Sequence, residues 1–289
     1  MAAENEVQLY ASDESLGDRA AQAAIAEVLR IEAKYSRYRP DSVVSRINAA
    51  TAPVEVDDET RGLLQFAQAC WRESGGLFDI TSGVLRQVWR FDSGRVPPDE
   101  EIAAVLPFIG WGRVSTTGDV HLDTGMEIDF GGFGKEYAVD RATACLADAG
   151  VKSGMVNLAG DLTILGPQPD GSPWRVGIQH PRKRGALVAQ LPIFSGAVAT
   201  SGDYERYIEV DGVRHCHVLD PRTGKSARGF QSVTVHASSC LVAGSAATIA
   251  MLKGARDGME WLEALGLAHL CVLEDGRVVE RMGEGGREL

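Results

Sequence analysis

Apolar residues along this chain follow two periods, and the change of texture falls at Met155. Ahead of it the spacing favours helices. After a first strand over Glu6–Ala11, Ser15–Asp18 reads as a capping box opening a helix, whose alanine-rich body carries Ile25, Val28, Leu29 and Ile31 as one apolar face. A second helix is expected from Asp58 to Ser74, with Leu63, Leu64, Ala67 and Trp71 inward and Gly75-Gly76 as the stop. Pro97, Pro98 and Pro107 break up the next stretch around one short helix, and Asp129–Gly134 makes a glycine-rich turn into a helix bearing Tyr137, Ala138, Arg141 and Leu146. Beyond Met155 strands dominate, at Met155–Leu158, Leu162–Leu165, Trp174–Gln179, Val188–Ile193, Ala197–Thr200 and Ser232–His236. Tyr207–Val210 and Val213–Leu219 flank Asp211-Gly212, a hairpin signal because a two-residue turn needs positive φ. An alanine-rich helix over Leu241–Leu252, a last helix and a hairpin at Asp275-Gly276 follow. Strands joined by tight turns pair antiparallel, so the pattern predicts an α+β fold rather than a doubly wound one.

Composition narrows the class. The chain has 289 residues, 44% hydrophobic and 24% charged, which is ordinary for a soluble globular protein. No segment reads as a long linker, so one domain over residues 1–289 is expected. The 33 glycines cluster rather than repeat, which suits turns and close backbone approach to a ligand. A net charge of −11 disfavours nucleic acid and anionic membranes as partners, although metal ions and backbone N–H groups can still hold a phosphorylated ligand. The short basic run Arg182-Lys183-Arg184 reads as a solvated loop. Five scattered cysteines without a CxxC pair argue against a disulfide framework or a zinc site. The opening MAAENEVQLY has neither a basic nor an apolar stretch, and no apolar run reaches a membrane span, so a cytoplasmic location is expected.

Four polar, glycine-bearing segments interrupt this pattern. Tyr35–Ser42, followed by Ser45-Arg46-Ile47-Asn48, sets aromatics beside a Pro-Asp turn; an aromatic there could stack on a planar ligand ring, but a helix end with a packed Tyr explains the segment better. Gly76–Gly83 alternates Asp79 and Thr81 with Phe78 and Ile80, as a capped turn or a ligand loop. Glu127–Arg141 joins a strand, a glycine turn and a helix start, offering N–H groups and a dipole end to an anion, with Lys135 in reach of a phosphate. Its GGFGKE is not G-x-G-x-x-G, so a Rossmann reading fails. Finally, Ser201–Tyr207 precedes His215-Cys216-His217, where alternation on a strand puts both imidazoles on one face, for a metal, a base or neither.

As an ordered set, YSRYRPDSVVSRINAA, GLFDITSG, EIDFGGFGKEYAVDRA, VNLAGDLTILG, ATSGDYERY, HCHVLDPRTGKSA and SVTVHASS with LVAGSAAT resemble the ApbE family, the FAD:protein FMN transferases. The resemblance implies a T-fold-like α+β structure with mixed, largely antiparallel sheets and packed helices. It implies FAD as substrate, Mg²⁺ as metal, and an acceptor flavoprotein carrying a Ser/Thr flavinylation motif. By position, Met1, Tyr38, Asp79, Ile80, Thr81, Asp129, Lys135 and Val218 match flavin-nucleotide contacts, and Asp161 is a further polar contact or a turn cap. His217 is the candidate proton acceptor for the attacking hydroxyl, since a neutral imidazole suits that task at pH 7, and Gly132 and Thr248 match metal ligands. One position departs from the pattern: Gly244 stands where the family has a metal-binding Asp, one helical turn before Thr248. Ser245 or Asp203 then stands as a substitute, and if Gly244 is a true loss at the metal site, Gly244→Asp is expected to tighten Mg²⁺ dependence and raise activity. The loss of that carboxylate also leaves open an FAD-binding module without turnover, or hydrolysis of FAD to FMN and AMP.

Overall fold

A computed structural model describes residues 5–116 and 118–281. The first half runs β1 (Asn5–Tyr10), α1 (Glu14–Tyr35), α2 (Val43–Ala49), α3 (Asp58–Glu73), a 3-10 segment at Ile80–Gln87, α4 (Asp99–Val105) and α5 (Gly134–Asp148). Then come β2 (Ser153–Leu158), β3 (Asp161–Gly166), β4 (Trp174–Gln179), β5 (Leu187–Ile193), β6 (Gly196–Gly202), β7 (Tyr207–Val210) and β8 (Val213–Cys216). The series ends with β9 (Phe230–Ala237), α6 (Cys240–Lys253), α7 (Ala255–Ala264), β10 (Ala268–Leu273) and β11 (Val278–Arg281).

Seven strands form one sheet in the order β1-β2-β3-β6-β9-β10-β11, and each pairing in it is antiparallel. Alternate residues serve its two faces. Val156, Ala197, Val235 and Cys271 point into a large core with the helices, while Met155, Val198, Leu270 and Val272 pack under the β4–β5 hairpin. Both faces being covered, β2 and β3 are almost wholly buried, whereas β4 keeps one wet face and alternates strictly. The β7–β8 hairpin turns through Asp211 at φ 51° and Gly212 at φ 74°, the left-handed pair its two-residue loop requires. Among the described residues no helix is long and apolar enough to cross a membrane.

Two details depart from expectation. Asp13, not Ser15, caps α1, its carboxylate accepting from the Leu16 N–H at 2.9 Å, so the helix starts earlier. The buried face of α1 is Ala20, Ala24, Ile31 and Tyr35, while Ile25 and Leu29 are 48% and 58% exposed. The reason is steric. α1 lies along α5, and alanines permit an approach that branched side chains would prevent.

Candidate active site

The glycine turn ahead of α5 is held from several sides. The Asn48 amide accepts from the Ile128 N–H at 2.8 Å and donates to the Ile128 carbonyl at 2.9 Å, mimicking a strand partner. Next, the Asp129 N–H donates to the Ile80 carbonyl at 2.9 Å. The Asp129 carboxylate accepts from the Gly131 N–H and forms an ion pair with Arg37. Phe130 and Phe133, both fully buried, anchor the turn, and no side chain of the N-cap residue closes the start of α5. The turn thus presents an uncapped, positively polarised helix end.

Lys135 and Glu136 occupy the first turn of α5. Lys135 Nζ lies 2.5 Å from Asp161 Oδ2, and Asp161 Oδ1 accepts from the Thr200 N–H at 2.9 Å. Asp161 is therefore a charge partner; the β2–β3 turn is capped by Asn157, which accepts from the Gly160 N–H. Burial opposes the Lys135 charge, but the carboxylates of Asp161 and Glu136 outweigh it and push the ammonium up to about 12. Glu136 is only 8% exposed, and its Oε2 is sealed from solvent without a hydrogen-bond partner. Burial, reinforced by the Asp161 charge, pushes its carboxyl well above the usual carboxylate range.

Asp140, one turn further along α5, pins α6. It accepts from the Cys240 N–H at 2.7 Å, the Leu241 N–H at 2.9 Å and the Thr163 hydroxyl at 3.1 Å. Stepping one turn back along α5 and one turn forward along α6 brings Glu136 against Gly244. A Cβ on residue 244 would fall 2.6 Å from Glu136 Cγ and 3.0 Å from its Oε1. The space for a side chain at 244 is thus filled by Glu136. A side chain at 244 therefore competes with Glu136 for the same space, which the expectation for Gly244→Asp did not include. One turn beyond Gly244, Thr248 exchanges a hydroxyl hydrogen bond of 2.7 Å with Ser201 on β6.

A cleft of about 630 Å³ opens beside the turn, with Arg37, Tyr38, Arg86, Arg90, Phe91 and Arg206 in its walls. Tyr38 is 78% exposed, with the Arg37 guanidinium 4.9 Å from its ring centre. Across the cleft, Trp89 and Phe91 stack at 5.5 Å, and the Trp89 indole N–H donates to the Gly224 carbonyl at 2.7 Å. Near this wall, the His217 N–H donates to the Arg206 carbonyl at 3.0 Å. Its imidazole is half-buried and Nδ1 is sealed without a partner. Burial, then the charges of Arg206 and Lys135, bring the ring down to about 4, so it is neutral at pH 7. The strand β8 ends at Cys216, short of the expected Leu219, so His215 and His217 do not act as a strand pair. His215 instead lies against Trp89. Among the described residues, no group of three His, Cys, Asp or Glu side chains is placed to hold a metal.

Comparison with known proteins fits this arrangement. The model of the ApbE family matches residues 1–271. The chain belongs to the ApbE family. An FAD:protein FMN transferase of Vibrio cholerae is 33% identical over 250 residues, spanning 83% of this chain and 75% of that protein. One from Salmonella typhimurium is 30% identical over 255 residues, spanning 83% and 73%. Among solved structures, an ApbE protein of Thermotoga maritima has a TM-score of 0.86 at 35% identity over 96% of this chain and 93% of that one. The Vibrio cholerae flavin transferase ApbE has a TM-score of 0.80 at 29% identity over 95% and 90%. The α+β reading of the sequence therefore holds at the level of the ApbE fold.

Within this ApbE frame, Lys135 lies on α5, Thr248 on α6, Asp161 at the start of β3 and Gly132 in the turn ahead of α5, while Tyr38 lines the cleft and Asp129 and His217 are bonded to Arg37 and Arg206 of its walls. Asp79 and Thr81 are buried structural links: Asp79 accepts from the Thr81 N–H and hydroxyl and from the Trp111 N–H, and Thr81 accepts from the Gly110 N–H. The Ile80 carbonyl holds Asp129, and the Val218 carbonyl accepts from the Ala227 N–H at 2.8 Å. Met1 lies outside the described residues. Of the two suggested substitutes for residue 244, Asp203 is held by Arg182 through two 2.6 Å hydrogen bonds, so Arg182 is not a freely solvated loop residue either. Ser245 is buried beside the Cys70 thiol of α3. Sequence reasoning missed Asn48, Glu136, Asp140 and the Trp89–Phe91 wall. Only the last left a signal, an aromatic and basic cluster at Trp89-Arg90-Phe91.

Proposed function

We propose that this chain, working as one unit, is an FAD:protein FMN transferase that moves FMN from FAD onto a Ser or Thr hydroxyl of an acceptor flavoprotein. The observation that carries the reading is the relationship to proteins of that name over 83% of this chain, with a lysine at a helix start whose charge acts on a neutral imidazole. The acceptor oxygen attacks the phosphorus of the FMN half. A P–O bond to the acceptor forms, the P–O bond to AMP breaks, and the hydroxyl proton passes to His217. With Nδ1 sealed, proton exchange falls to Nε2. Lys135 meets the phosphate charge from the first turn of α5, where the Gly134 N–H is already held by the Phe130 carbonyl at 2.6 Å, and Asp161 with Thr200 keeps the ammonium in place. Tyr38, with Asp129 holding Arg37 beneath it, supplies a face for the flavin nucleotide, and the segment Asp79–Thr81 with Val218 frames the site.

A hard divalent cation fits the donors present. The Thr248 hydroxyl, the Gly132 carbonyl and a buried carboxyl with an orphaned oxygen are the ligands Mg²⁺ prefers. When bound, the cation offsets the charge on the pyrophosphate and on the departing oxygen. Measuring AMP released from FAD, with and without an acceptor flavoprotein, tests the reading. AMP that appears in step with modified acceptor supports transfer. Equal AMP without acceptor points to hydrolysis, and tight FAD binding with no AMP points to a binding module.

A further inference from the structure

We infer that Glu136 supplies the metal-binding carboxylate of this site, from α5, in place of the one that Gly244 lacks on α6. The inference rests on the flavin-transfer reading above, and three independent observations carry it. Glu136 is more than nine-tenths buried, and its Oε2 has no hydrogen-bond partner, a cost that a protein rarely retains without a ligand for the oxygen. The side chain fills the volume that a residue larger than glycine at 244 would need, since a Cβ there would lie 2.6 Å from Glu136 Cγ. Thr248 follows Gly244 by one turn on the same face of α6, so a carboxylate arriving over Gly244 reaches the region that a side chain on 244 would have reached.

Charge supports the same assignment. Lys135 pairs with Asp161 at 2.5 Å and its charge also acts on Glu136, so one ammonium faces two carboxylates. Two carboxylates against one ammonium leave an excess of negative charge by the first turn of α5, which would repel a phosphate approaching that helix end. A divalent cation between them turns the repulsion into two attractions. The Asp140 contacts to Cys240 and Leu241 set the pairing of α5 with α6 on which this depends. Gly244 is then a consequence of Glu136 rather than a damaged site: with the carboxylate entering from α5, only a hydrogen at 244 leaves it room.

Titration of Mn²⁺ into the full chain equilibrated with FAD, read by the loss of the free-ion EPR signal, tests this. Glu136→Gln should weaken Mn²⁺ binding at least ~10-fold, since even the loss of a residue that only supports a metal ligand costs about that much. Gly244→Asp alone should bind worse than the native chain. The double variant Glu136→Gly with Gly244→Asp should recover Mn²⁺ affinity to within about 3-fold, a rescue that no purely structural role for Glu136 would produce. That rescue also keeps the test decisive if a single variant folds poorly. Equal Mn²⁺ affinity of the native chain and Glu136→Gln, or a double variant as weak as the singles, overturns the assignment. FAD binding, followed separately by flavin fluorescence in EDTA, distinguishes the two levels. Loss of FAD binding in the native chain removes the flavin reading itself, whereas intact FAD binding with Mn²⁺ affinity indifferent to residue 136 removes only this inference.

Discussion

His217 shows how burial prepares a side chain for chemistry. An imidazole brought down to about 4 is almost entirely neutral at pH 7, and so can accept a proton from an attacking hydroxyl. His217→Gln should leave FAD affinity nearly unchanged and slow transfer by about 10²- to 10⁴-fold, as removal of a general base does. The acid limb of kcat/KM should fall near pH 4 and not near the ordinary imidazole value of 6.5. The same shift affects stability. Between about 4 and 6.5 the unfolded chain binds the proton that the folded chain refuses, so stability drops as pH falls through that window. Urea denaturation at pH 7 and pH 5 should show this loss, and His217→Gln should reduce it. Tyr38 is the opposite case, being 78% exposed and not part of the core. Tyr38→Ala should weaken FAD binding by about 5- to 10-fold, the scale of one aromatic stacking contact, with no change in Tm. An unchanged Kd would remove Tyr38 from the flavin site.

At the scale of elements, α5 and α6 carry the proposed site, and Asp140 ties the one to the other. Its carboxylate takes two N–H groups at the start of α6 as well as the Thr163 hydroxyl, whereas the N-cap Ser239 takes only the Val242 N–H. Asp140→Ala should therefore cost about 2–3 kcal/mol in chemical denaturation, because buried donors lose a charged acceptor. Ser239→Ala should cost about 1 kcal/mol, and equal losses would mean that Asp140 is not the main tie. Such ties explain what could and could not be read from the chain. The strands β4 and β7 and the Asp211-Gly212 turn were legible residue by residue, because alternation and positive φ are local properties. The inward face of α1 was misread because Ile25 and Leu29 outrank alanine in hydrophobicity, while helix proximity favours Ala20 and Ala24. The glycine turn that holds Gly132 and the helices that hold Lys135 and Thr248 were legible from local turn and periodicity signals. The meeting of Glu136 with Gly244 was not legible, since the two are far apart in sequence and become neighbours only through the packing of α5 on α6. Asn48 and Asp140 escaped for the same reason: each is an ordinary helical residue until its long-range partner is known.

Over the whole molecule, an acidic chain of net charge −11 gathers Arg37, Arg86, Arg90 and Arg206 around one cleft. Asp92 and Glu205 line the cleft as well, and Arg37 and Arg86 are paired with Asp129 and Glu127, so the guanidinium groups offer linked phosphates directed hydrogen-bond donors rather than a strong net positive charge. The fold supports this by burying both faces of the central sheet, which leaves the loops and helix starts at its edge to form the site. The proposed activity has one direct signature, the mass of the acceptor. An acceptor flavoprotein incubated with this chain, FAD and Mg²⁺ should gain the mass of one FMN joined through a phosphoester, and its Ser/Thr→Ala variant should gain none. An acceptor of unchanged mass, under conditions where FAD is bound and metal is present, would contradict the account.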